Sequence, residues 1–496
     1  MIRDTYENIL QQKDVRQNLI TLKTGLKDEC NRDALLYRIG TDYSVFDRLL
    51  ENEDAKIRKN AALVMGELAV PCFLDKLYAA YQKEGQLFVR SSYLTAMKKL
   101  DYSAFLPDLK RRLSVLTEAE TEDASRKHIR EEARILSELI LAKEGIQHHP
   151  FTGYQIPSVL VLMTNRNYKN VTREQLEGIT SREFNAGVMV KTSDLRKVLS
   201  IRTYSELLFI LEDLKVCRAD ADAAGKAIAD SSLIRFIEER HEGEAPFYFR
   251  IELKSKLPLD KKSAFTKKLA FGIENLTKRR LINSTTNYEF EIRLIENKEG
   301  LYNVLIKLYT LKDERFAYRK SSIAAGIQPS NAALMAALAR DYLKEGAQVL
   351  DPFCGTGTML IERNLLVRAG TMYGLDIYGD AINKARENSN YANVNVNYIN
   401  RDFFDFKHDY LFDEIFTDMP RATGQKEEDG IYNLYRNFFL KASLHLKENG
   451  IIILYSHSRD YVKKLLDRRC YKLEQEYEIS KKEGAYLFII KYIKLQ

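Results

Sequence analysis

The stretch AQVLDPFCGTGTMLIERNLLV, residues 347–367, decides the fold of the C-terminal third of this chain. An apolar strand runs into Asp351, a turn carries Gly355 and Gly357, and a helix opens near Thr358. Glycine at those two places lets backbone amides approach a ligand where a Cβ would collide. Strand, glycine turn and helix in that order predict an open α/β sheet, with the ligand across the carboxyl ends of parallel strands. A nicotinamide-binding Rossmann unit is the rival, but its G-x-G-x-x-G is absent. Ile361 and Glu362 follow where a third small residue is expected.

The segments downstream fit the same sheet. TMYGLDI (371–377) reads as a second strand ending in Asp376, an acid placed to accept hydrogen bonds from ribose hydroxyls. Lys384 and Arg386 fall on the next helix. VNVNYINRDFFDF (394–406) is a third strand leading to Asp402, which can take an adenine amino group, with Phe403 beside the ring. FDEIFTDMP (412–420) and GIIILYS (450–456) give a fourth and a fifth strand, and AYLFIIKYIK (485–494) a last one.

Together these residues resemble the S-adenosylmethionine site of class I methyltransferases, over roughly Gly326 to the C-terminus, with the last strand antiparallel. The resemblance implies that the Asp351, Phe353, Cys354, Gly355, Thr356 and Gly357 loop meets the methionine part. It implies that Asp376 with Ile377 holds the ribose, and Asp402 with Phe403 the adenine. Upstream, AGIQPSNAALMAAL (325–338) resembles the segment that precedes the sheet and covers the cofactor in THUMP-containing RNA methyltransferases.

FTDMPRATGQ (416–425) then bears on the reaction. A base amine has its lone pair delocalised into the ring, so acceptors must take its hydrogens as the nitrogen becomes tetrahedral. Asp418 can be one acceptor and the backbone carbonyl of Met419 or Pro420 the other, and Asp can also take the departing proton. Amine methyltransferases of this family carry an aromatic after D-x-P, which stacks on the flipped base. Here Arg421 stands in its place. A guanidinium is planar and can stack, or reach guanine O6 and N7. Otherwise Thr423-Gly424-Gln425 swings the loop so that Arg421 faces solvent, and Tyr432 or Tyr435 supplies the ring. Methylation at cytosine C5 needs a cysteine nucleophile, and no cysteine lies near Asp418.

The first 145 residues hold an internal repeat. VRQNLITLKTGL (15–26), IRKNAALVMGEL (57–68), VRSSYLTAMKKL (89–100) and IREEARILSELI (129–140) align on a β-branched residue followed by Arg. Apolar residues at helical spacing in units of this length predict an α-solenoid, and the Val/Ile-Arg start resembles the second helix of HEAT repeats. A plain helical bundle is the alternative. EGIQHHPFTGYQIP (144–157) breaks the pattern. His148–His149 there has no spaced carboxylate or Cys to make a metal site, and reads as linker. From Ser158 short strands and helices alternate in two cycles, including a helix over 193–214, which predicts small ferredoxin-like units rather than one large sheet. Their order, with Arg202-Thr203, resembles the N-terminal ferredoxin-like and THUMP domains of RNA methyltransferases. Lys261, Lys262, Lys267, Lys268 and Lys278-Arg279-Arg280 suit phosphate contacts, or simply solvated faces.

At 496 residues the chain is too long for one core, and 45% hydrophobic with 30% charged residues is a globular composition. No apolar run reaches the roughly 20 residues of a membrane span. A charged N-terminus without a signal core points to the cytoplasm. Five scattered cysteines form no CxxC pair, so neither a zinc site nor a disulfide framework is expected. A net charge of +7 permits a polyanionic partner without demanding one.

The expected organisation is a multidomain α plus α/β chain: an α-solenoid over 1–145, a ferredoxin-like domain over 156–216, a THUMP-like domain over 217–312 and a methyltransferase domain over 320–496. The expected reaction is methylation of guanosine N2 in tRNA, with rRNA guanosine second. An inactive RNA-binding or assembly protein is the other class, and DNA adenine-N6 methylation is disfavoured by the THUMP-like middle. The solenoid would offer a surface to a protein or RNA partner.

Overall fold

The computed structural model describes residues 2–118, 123–145, 148–324, 326–421, 428–466 and 470–493. Two compact units divide the chain by packing rather than by sequence order. The first comprises 1–148 with 274–288, and the second 149–273 with 289–496.

In the first unit all four repeat segments lie on helices: Val15–Gly25, Ala55–Leu68, Leu87–Met97 and Asp123–Glu144. These pack in series, each on the next, and each also packs against the helix that precedes it in a pair. Gly66 allows one of these contacts, because a Cβ there would lie 2.7 Å from Ala96 Cα on the neighbouring helix. Two of the repeated arginines meet at one turn. Arg58 is bidentate to the buried Glu84 carboxylate at 2.7 and 2.9 Å, and Arg90 Nε donates to the Glu84 carbonyl. Arg58 is thus a tie from its own helical pair to the turn of the next.

The second unit opens with one sheet, in which the main strands neighbour one another in the order Thr180–Phe184, Gly187–Thr192, Ser158–Thr164, Tyr204–Ile210, Tyr302–Leu308, Phe290–Glu296 and Phe247–Lys254, and Val216–Cys217 also pairs with Tyr302–Leu308. This corrects the expectation of two small separate units. Tyr204–Ile210 of the first cycle pairs with Tyr302–Leu308 of the second, Phe209 opposite Ile306, so the sheet is continuous. The helix expected over 193–214 is also corrected. Leu195–Leu199 is a short helix capped by Asp194, and Tyr204–Ile210 is a central strand. Its β-branched and aromatic residues fit a pleated surface, and two flanking strands satisfy its backbone.

The C-terminal sheet has seven strands: Gln348–Asp351, Thr371–Asp376, Asn397–Asn400, Phe412–Asp418, Leu446–Ser456, Tyr471–Ser480 and Ala485–Tyr492. Their order is third, second, first, fourth, fifth, seventh, sixth. The first five run parallel and the seventh is antiparallel to the fifth. Parallel strands are covered on both faces, which accounts for the unbroken apolar run Ile451, Ile452, Ile453, Leu454. The sixth strand was not anticipated. YKLEQEYEIS mixes charges into an edge strand, where one side stays wet.

The helix after the glycine loop, Thr358–Leu366, is fixed from both sides. Arg363 and Glu414 form a fully buried pair at 2.7 Å, and Glu362 takes a bidentate Arg202 at 2.7 and 2.8 Å with Tyr318 Oη at 2.7 Å. Asn165 and Asn167 donate to the carbonyls of Ile479 and Glu478 on the sixth strand. Arg202 therefore joins the two sheets of this unit rather than only marking a sequence likeness. No helix among the described residues is long and apolar enough to cross a membrane.

Candidate active site

Strand order reverses beside the first strand, whose neighbours are the second and the fourth. At such a switch point a crevice opens beyond the carboxyl ends. Asp351, Asp376, Asp418 and Ser456 all stand there, as last residues of the first, second, fourth and fifth strands.

Asp351 is 1% exposed. Its Oδ1 accepts from Thr417 Oγ1 at 2.6 Å and Phe353 N–H at 3.1 Å, whereas Oδ2 has no partner among the described residues. Burial pushes its pKa up to about 8, with Asp418 and Asp376 adding to the shift. The turn that follows is left-handed at Gly355 (φ 51°) and Gly357 (φ 81°). A Cβ on Gly357 would lie 2.1 Å from the Tyr398 hydroxyl, and one on Gly374 would lie 2.8 Å from the Tyr398 ring. Tyr398 thus fills the space that two glycines leave, with its hydroxyl on Ser389 at 2.8 Å. Cys354 is buried, and burial pushes its thiol well above its ordinary pKa, so it is a packed thiol and not a nucleophile. Thr356 is buried, and its carbonyl accepts from Asn388.

Asp376 accepts the Gly355 N–H at 3.0 Å and the Tyr378 N–H at 2.9 Å, so it braces the loop that it faces. Ile377 beside it is 59% exposed, an apolar surface at the mouth of the crevice. Asp402 is exposed and caps the turn after the third strand, accepting from Phe404 N–H. Phe403 is the ring expected beside the adenine. It is buried among Phe353, Phe404, Phe438 and His445, because its place in the turn aims it into the core, and Phe404 is the half-buried ring.

Asp418 ends the fourth strand with Oδ1 unpartnered among the described residues. Burial pushes its pKa up to about 7, against the pull of the Arg421 guanidinium. The Met419 side chain belongs to the core and its N–H bonds the Tyr455 carbonyl at 2.9 Å, which leaves its own carbonyl as the chemically relevant group. Pro420 is half-buried and Arg421 exposed. Thr423-Gly424-Gln425 lies outside the described residues. Tyr435 is fully buried with its hydroxyl on Ser456, so it cannot stack on a base. Tyr432 stands edge-on to Tyr461, under the Lys464 ammonium. Three residues escaped the sequence reading: Thr417, Tyr398 and His457. Only the last had a signal, a histidine at the end of a strand already placed in the sheet.

Three carboxylates converge here with two left-handed glycines and a helix N-terminus. Such a place suits a ligand that carries both a cationic centre and a carboxylate.

Comparison with known proteins agrees. Residues 317–484 match the UPF0020 family, described as RMKL-like, methyltransferase domain. A stretch of 144 residues is 33% identical to the tRNA (guanine(10)-N2)-dimethyltransferase of Methanothermobacter thermautotrophicus, covering 28% of this chain and 40% of that relative. The chain therefore spans well under half of the relative's length. The crystal structure of TrmN from Thermus thermophilus superposes with a TM-score of 0.51 at 18% identity, over 68% of this chain and 99% of that one. SMU.472, solved in complex with SAH, superposes with a TM-score of 0.51 at 14% identity, over 68% of this chain and 98% of that one. At those identities the likeness is one of fold. The C-terminal part of the chain thus matches a methyltransferase domain and has the fold of known methyltransferases, which indicates S-adenosylmethionine as its cofactor.

Proposed function

We propose that this protein is an RNA methyltransferase that modifies an exocyclic base amine, guanosine N2 of tRNA before other targets. The observation that carries the proposal is Asp418, a half-buried carboxylate with an unpartnered oxygen, one strand from the cofactor loop. The bound cofactor supplies an electrophilic methyl on a sulfonium. Asp418 and the Met419 or Pro420 carbonyl accept the two amine hydrogens, which frees the nitrogen lone pair. As the N–C bond forms and the S–C bond breaks, Asp418 receives the proton that leaves. With a pKa near 7 it is poised for that exchange at neutral pH. The name of the archaeal relative, a tRNA guanine-N2 enzyme, supports the choice of substrate.

In this reading residues 156–216 and 217–312 are ferredoxin-like and THUMP-like parts that hold RNA, with Lys261, Lys262, Lys267, Lys268 and Lys278 as phosphate contacts. Residues 1–145 are a HEAT-like solenoid open to a protein or RNA partner, and 320–496 do the chemistry. A tRNA substrate places the work in the cytoplasm. Mass spectrometry of nucleosides from tRNA and rRNA of a deletion strain tests the proposal. N2-methylguanosine should fall at one site in tRNA and return when the purified protein and S-adenosylmethionine are added. Unchanged tRNA and rRNA nucleosides would refute it in favour of an inactive fold.

A further inference from the structure

Purines differ in the donors and acceptors they show to a pocket, so a site that takes an amine to Asp418 must also meet its neighbours. Guanine presents its 2-amino group, the N1–H donor and the O6 acceptor. Adenine presents its 6-amino group beside N1, which is an acceptor. One group near Asp418 can tell these edges apart.

The fourth and fifth strands are parallel neighbours, with Asp418 opposite Tyr455. His457 follows two residues later, beyond the same carboxyl ends, its ring edge-on to Tyr455 at 5.3 Å. His457 Nδ1 lies 3.0 Å from the Glu483 carbonyl. A carbonyl only accepts, so Nδ1 carries the hydrogen and Nε2 presents a lone pair. Nε2 is buried and has no hydrogen-bond partner among the described residues. A buried acceptor left unpaired is costly, and this one belongs to a residue just past the carboxyl end of the strand beside Asp418. Arg421 acts electrostatically on Asp418, Tyr455 and His457 alike, so its guanidinium shares their surroundings. Burial and Arg421 both hold the imidazole below its ordinary pKa, and it is neutral at pH 7.

We propose that His457 is a base-reading residue, whose Nε2 accepts the N1–H of a guanine that offers its 2-amino group to Asp418 while Arg421 donates to O6. This rests on the amine-methyltransferase reading and names what it selects. Asp418 and the Met419 or Pro420 carbonyl on the amine, His457 on N1–H and Arg421 on O6 complement guanine. An adenine in the same place sets its N1 lone pair against that of Nε2, which is repulsion in a dry site.

The test uses the full-length protein, S-adenosylmethionine and a tRNA ligated with one 2,6-diaminopurine riboside at the guanosine that the wild type methylates. That base keeps the 2-amino group but turns N1 into an acceptor and O6 into a donor. The wild type should lose about tenfold or more in kcat/KM on it relative to guanosine. His457→Ala should lose about tenfold on guanosine and narrow the preference to roughly threefold, with cofactor affinity unchanged by calorimetry. His457→Gln, whose amide oxygen can accept, should keep more of the preference than His457→Ala. A wild type indifferent to the two bases, or a His457→Ala protein as selective as the wild type, overturns the proposal. A wild-type product other than N2-methylguanosine overturns it together with the function reading, and nucleoside analysis shows that before any variant is made.

Discussion

Raising the pH from 6 to 8 should accelerate methyl transfer through one carboxyl group, Asp418. Its charged form is disfavoured because burial strips its water and Oδ1 finds no donor, so its pKa sits at about 7. With that midpoint roughly a tenth of the molecules carry the carboxylate at pH 6 and nine-tenths at pH 8. Single-turnover rates at saturating cofactor and tRNA should therefore rise about tenfold across that interval and then level. Asp418→Asn retains an acceptor but not a base, so its rate should be at least about a hundredfold lower and flat with pH. Arg421 pulls the carboxyl toward ionisation, so Arg421→Ala should move the midpoint to higher pH, besides lowering turnover about tenfold. Rapid-quench counting of methyl groups at five pH values checks all three proteins. A wild-type profile without a rise between pH 6 and 8, or a midpoint unmoved in Arg421→Ala, would refute Asp418 as the proton acceptor.

Asp376→Ala should weaken cofactor binding by roughly 1–3 kcal/mol, since it removes an acceptor and leaves the Gly355 and Tyr378 amides without theirs; calorimetry reads it, and wild-type affinity would take Asp376 out of the site. Asp351 has a raised pKa, so its proton is held in the folded protein and stability falls as pH climbs from about 4 toward 8. A cationic cofactor favours its ionised form, so binding should release protons near pH 7.5 and tighten with pH, which calorimetry in two buffers of different ionisation enthalpy measures. Gly357→Ala should abolish cofactor binding, because φ 81° and the Tyr398 hydroxyl both oppose a Cβ; retained binding would contradict the geometry of the loop. Arg202→Ala strands the buried Glu362 and should lower stability by roughly 3 kcal/mol, less what Tyr318 retains, as read by denaturant unfolding.

The sequence determined by itself whatever local chemistry requires. Gly355 and Gly357 could be read as the turn of a ligand loop because only a residue without a Cβ lets the backbone approach a ligand so closely. Asp351, Asp376 and Asp418 could be placed at strand ends because apolar runs stop there. The four Val/Ile-Arg segments could be found because helical spacing repeats, although what two of the arginines do became clear only when Arg58 and Arg90 met at Glu84. Tertiary structure decided what depends on partners distant in the chain. Tyr204–Ile210 follows a helical segment and carries leucines that either period accepts, and it became a strand by pairing with Ser158–Thr164 on one side and Tyr302–Leu308, about a hundred residues on, on the other. Phe403 and Phe404 are identical in kind, and only the turn capped by Asp402 decides which ring enters the core. The Asp418 and His457 lone pairs are likewise invisible in the sequence. Whether a polar atom is satisfied depends on every neighbour in space, and their openness emerges only once Glu483, Tyr455 and the strand ends are folded together.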